Sequence, residues 1–165
     1  MARTYEPIAS VTTASSAATV TFDNIPGTYT DIVWVVHHGL SSDQVVGLRF
    51  NNDSGSNYST TRLTGNGSAA ASGRVSSETY IRALSFGVAN ASTIQNVTVG
   101  HVLSYANTNV NKTTLEAQAN ASSGVSRCVG LWRSTNAITR IDFVAQSSAT
   151  FVNGSTVSLY GIKAT

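Results

Sequence analysis

The chain has 165 residues, of which only 11% are charged, ten Lys/Arg against eight Asp/Glu for a net charge of +2. Ordinary soluble domains carry about 25% charged residues, so Ser, Thr, Asn and Gly must supply the polar surface here. The basic residues are spread singly, which excludes a nucleic-acid-binding face, and no apolar run is long enough to span a membrane.

The first ten residues, 1–10, read as an N-terminal extension or docking segment, and 11–165 as a single β-sandwich domain long enough to bury a core. From there the period is two nearly throughout. Val20 and Phe22 alternate with Thr19 and Thr21 before a turn that contains Pro26-Gly27. Residues 31–36 are apolar on both faces, the pattern of a central strand covered on both sides. Val46, Leu48 and Phe50 share one face, with Arg49 on the other. Further strands are expected at 58–63, 79–84, 94–103, Lys112–Asn120, 127–132, 138–144 and Thr156–Ile162. In Lys112–Asn120 the alternation assigns Lys112, Thr114, Glu116 and Gln118 outward, and Thr113, Leu115, Ala117 and Ala119 inward.

Between these runs lie "NNDSGSN", "TGNGSAAASG", "YANTNVN", "ASSGVS" and "VNGS". Gly and Asn tolerate positive φ, and Ser and Asn bond their own backbone, so these stretches read as turns. No segment shows a helical apolar stripe. The expected fold is an all-β, antiparallel β-sandwich, with jelly-roll wiring preferred to an immunoglobulin-like one.

Chemistry-bearing clusters are sparse. His37-His38 with Asp43 is the nearest to a metal or catalytic group, but neighbouring residues of a strand project to opposite faces. The pair reads as a loop edge. Residues 51–57, centred on Asp53, are oxygen-rich but lack the closing acid of a calcium loop. His101 falls inside a strand pattern, and the acids are too few to mark a glycosidase pair. Gly65-x-Gly67 precedes no helix and is not a phosphate loop. Trp34 and Trp132 read as core aromatics, and Arg133 as a rim residue with an anion as its alternative partner. No catalytic, cofactor-binding or metal-ligating residue is assigned.

Cys128 is the only cysteine, which excludes an internal disulfide and suits a buried small side chain. The start "MARTYEPIAS" has no apolar signal core, so synthesis in a cytoplasm is expected. The eight Asn-x-Ser/Thr sequons then carry no meaning. The only prolines are Pro7 and Pro26, too few to guard the strand edges, so self-association through edges and loops is expected.

The stretches "IPGTYTDIV", "LRFNNDSGSNYS", "RLTGNGS", "SYANTNVNKT", "VGLWRSTNAIT" and "GSTVSLYGIKA" together resemble a family of small virion structural proteins of tailed bacteriophages. The resemblance runs from about Thr4 to Ala164 in collinear order. It implies a non-enzymatic subunit on the particle exterior, a tail fibre or baseplate accessory that touches the host surface, with no cofactor. Its partners would be itself, as a homo-oligomer with a trimer favoured, other virion proteins and a host surface glycan. Capsid decoration and a polysaccharide-binding or polysaccharide-degrading module are the alternatives. The segment "VWVVHHGLSSDQVVG" departs from the rest and marks a candidate binding loop.

Overall fold

The structure is a computed structural model and describes residues 5–84, 92–120 and 122–163. In chain order the strands are β1 (Tyr5–Thr12), β2 (Thr19–Phe22), β3 (Asp31–His38), β4 (Val46–Phe50), β5 (Tyr58–Gly65), β6 (Ala70–Glu78), β7 (Ile81–Leu84), β8 (Asn96–Val102), β9 (Lys112–Asn120), β10 (Gly124–Trp132), β11 (Ile141–Ala145) and β12 (Thr156–Ile162). No helix occurs among the described residues.

All pairings are antiparallel, in an eight-stranded sheet ordered β1-β12-β3-β8-β9-β10-β5-β6 and a four-stranded sheet ordered β2-β11-β4-β7. The pairs β1/β12, β2/β11, β3/β8 and β4/β7 are nested like one long folded ribbon. Rolling that ribbon sets β12 beside β3 and β11 beside β4, which is the jelly-roll order of two four-stranded sheets. The remaining strands are additions. β5 and β6 are inserted between β4 and β7, β9 and β10 between β8 and β11, and they extend one sheet only. The larger sheet therefore overhangs the smaller.

The terminal strand β12 is not an edge, because β1 and β3 pair with it on either side. The expected boundary at residue 10 falls inside β1, whose Tyr5 sits opposite Ile162. Residues 5–10 are thus part of the sandwich, while residues 1–4 lie outside the described residues. Both ends of the described chain meet at one end of the sandwich. The turn at 66–69 and residues 122–123 lie at the other.

The core forms where the two sheets overlap. Trp34 and Val36 of β3 are fully buried and face Val46, Leu48 and Phe50 of β4. Trp34 meets Phe143 edge-on at 6.1 Å. Gly100, register-paired with Trp34, lets the indole lie across it, since a Cβ there would stand 2.2 Å from the ring. The outer face of β3 is only partly covered: Val33 is buried but Val35 is exposed.

β9 reverses its expected faces. Lys112, Thr114, Glu116, Gln118 and Asn120 are buried, and Leu115 and Ala119 are exposed. The physical reason is the overhang. The inner face of β10 lies against β7, the edge strand of the smaller sheet. Polar side chains of β9 find backbone partners there and in the loops, Gln118 at the Ala83 carbonyl and Lys112 at three loop carbonyls.

Candidate functional site

The residues singled out by sequence do not converge. His37 and His38 are the last residues of β3, not a loop edge. His37 is exposed, whereas His38 is buried with its ring edge-on to Phe151 at 6.1 Å. Asp43 lies on the exposed turn that follows. His101 is in β8 and half-buried. Among the described residues no three His, Cys, Asp or Glu side chains gather as a metal-ligand set.

The Asp53 loop is closed by its own hydrogen bonds. Asp53 Oδ1 accepts from the Gly55 N–H at 2.8 Å, and Oδ2 from Asn57 Nδ2 at 2.9 Å and Trp132 Nε1 at 2.6 Å. Burial would raise the Asp53 carboxyl, but the bonds from Trp132, Asn57 and Gly55 outweigh it and hold it below the usual range. Trp132 itself stacks on Tyr58 and packs against Phe50, so it is a core aromatic. Arg133 donates to the Ser59 hydroxyl at the sheet rim.

Two buried ionisable groups carry no sequence signature. The Lys112 ammonium donates to three backbone carbonyls, Asn107 at 2.7 Å, Val110 at 2.9 Å and Thr135 at 3.0 Å. It pins two loops together, and burial lowers its pKa. Glu116 lies in one register row with Trp34, Gly100, Cys128 and Arg62. Neither Glu116 carboxyl oxygen has a hydrogen-bond partner, nor does Trp34 Nε1. Burial pushes Glu116 up to about 8. Burial likewise pushes the Cys128 thiol up to about 11, so it is an inert neutral group at neutral pH. Beside it Gln118 Nε2 donates to the Ala83 carbonyl at 2.6 Å, tying β9 to β7.

The outer face of the overhang is the opposite of what a solvated sheet presents. Leu63, Val97, Val99, Leu115, Val125 and Val129 are 37–60% exposed on adjacent strands. Val97, Val99 and Val125 have the small residues Ala119, Ala117 and Gly65 as register partners, which leaves a shallow trough of about 690 Å³ along β9. Arg127 and Arg74 are the charged groups on these strands' outer face, and no acid lies among them. Depletion of charge at an apolar centre, with Arg retained, is the composition of a buried contact surface. Binary alternation located these side chains but could not say which face water would see.

No protein-family model matches the chain, and no curated protein matches it.

Proposed function

We propose that this chain is a non-enzymatic structural subunit on the exterior of a tailed-bacteriophage particle, a tail-fibre or baseplate accessory. The observation that carries the reading is the apolar, acid-free outer face of the overhanging sheet. A contiguous exposed apolar face of this extent marks a protein contact surface, and a subunit meant to be covered by neighbours needs one.

The acids support the same reading. Glu6 pairs with Lys163, Asp23 and Asp142 with Arg140, and Glu78 with Arg82. Asp31 accepts the Ser104 N–H, Asp53 closes its own turn, and Glu116 is sealed. General acid–base work on a glycan needs carboxyls free to meet substrate; six of these seven are paired or hydrogen-bonded within the fold, and Glu116 is buried away from solvent.

Antibody labelling of intact particles, followed by a density map of the labelled region, tests the proposal. The jelly roll should be found on the tail. Label confined to the head shell would assign it to capsid decoration instead, and absence from purified particles would refute the reading.

A further inference from the structure

We infer that the outer face of the overhang is the interface of a two-fold dimer of this chain. The inference rests on the proposed reading only in taking the face as a subunit contact, and it requires no particular position on the particle.

The register of the face is self-complementary. Take an in-plane two-fold axis running along the strands midway between β9 and β10. It sets β9 of one copy over β10 of the other, and β8 over β5. At the turn end, Val97 then meets the partner's Gly65, and Ala119 meets the partner's Val125. One row in, Val99 meets the partner's Leu63, and Ala117 leaves room for the stem of the partner's Arg127. These rows follow directly from the pairings within one copy, Val97↔Ala119, Ala119↔Val125 and Val125↔Gly65, then Val99↔Ala117, Ala117↔Arg127 and Arg127↔Leu63. Large side chains meet small ones in both directions at the turn end, the alternation that lets two layers interdigitate. Sheets packed face to face sit about 10 Å apart, within reach of such side chains.

The area agrees. The six large apolar side chains are 37–60% exposed. They offer on the order of 400 Å² of apolar surface, at the size of the largest functional patches of monomers. A standard interface hides about 800 Å² per partner, so this patch supplies its centre, and the surrounding Thr61, Thr113, His101 and Arg74 supply a polar rim. The two-fold replaces the three-fold expected from the resemblance, because a face that matches itself closes with two copies.

Light scattering and sedimentation of the purified chain at 1–100 micromolar test the oligomeric state, with a dimer expected. Val125→Glu and, separately, Val129→Glu should weaken association by about 100-fold or more, since each buries two unpaired carboxylates. Both positions are exposed in one copy, so melting measured at a fixed low concentration should stay within a few degrees of the parent. The geometry is tested by Val97→Cys combined with Gly65→Cys. Within one copy these lie three strand spacings apart, about 14 Å, whereas across the interface they face each other over the roughly 10 Å between packed sheets, too far for a direct disulfide. A bifunctional thiol reagent long enough for the second distance and too short for the first should therefore yield a cross-linked dimer, with the buried Cys128 silent. A chain monomeric at 100 micromolar, a dimer indifferent to both glutamates, or a double variant that cross-links no faster than either single variant would overturn the inference. Failure of the particle labelling would leave these three results untouched.

Discussion

Glu116 gives the sharpest test of the inverted β9 face. Its carboxyl is buried without a hydrogen-bond partner, and its pKa in the folded chain is raised from 4.5 to about 8. In the unfolded chain it ionises near 4.5. Between these values the folded state holds one proton that the unfolded state has lost, so stability falls as pH rises, by about 1.4 kcal/mol per pH unit. Below pH 4.5 both states are protonated and the contribution is fully present; above pH 8 both are ionised and the loss is complete. Glu116→Gln has nearly the same shape and cannot titrate, so it removes this dependence alone. Denaturant unfolding of parent and variant at pH 5, 6 and 7 isolates the effect, because other titrations cancel in the difference. The variant should gain about 3 kcal/mol on the parent between pH 5 and pH 7. For a domain of this size that corresponds to about 5–11 °C in melting temperature. Parallel pH curves would show that Glu116 is solvated or paired, and the buried polar face of β9 would be refuted with it.

Trp34→Ala should cost about 3–5 kcal/mol, as large-to-small core changes do. Gly100→Ala should destabilise by about 1–3 kcal/mol through collision with the indole, and should cost much less in the Trp34→Ala background; equal costs in both would break the link between the two. Lys112→Met should lose about 2–4 kcal/mol by stranding three carbonyls, with amide exchange quickening around Asn107 and Thr135; unchanged exchange there would refute the pinning. Replacing His37 or Asp43 by Ala should leave the melting temperature within a degree or two, whereas His38→Ala should lower it by several degrees, since only His38 is buried; equal effects would contradict its contact with Phe151. Chelator should leave the melting temperature unchanged, because the Asp53 oxygens are already saturated by their own loop; a fall of several degrees would reopen a cation site.

Sequence alone was enough to establish the all-β class and most of the strands. Period-two alternation and the Asn, Gly and Ser turns are local properties, so β3, β4, β9 and β12 could be placed from their own residues. Two strands were illegible for local reasons. β6 is built of Ala, Ser and Gly around Arg74 and Val75, a composition that reads as a turn until β5 pairs with it. β1 carries Pro7 and a register shift next to it, and is a strand because β12 supplies its ladder. The wiring needed the whole chain, since nested pairs such as β1/β12 join residues more than 140 positions apart. The faces of β9 are the clearest case. Alternation divides nine residues into two sets, but hydrophobicity then chose the wrong set for the inside. Which set is buried depends on β7 and the loops that fold over it, and on an overhang created by two inserted hairpins. A polar row can lie inside when distant carbonyls receive it, as those of Ala83 and Thr135 do for Gln118 and Lys112. Tertiary structure alone decided that, and with it which face of the sheet was left for a partner.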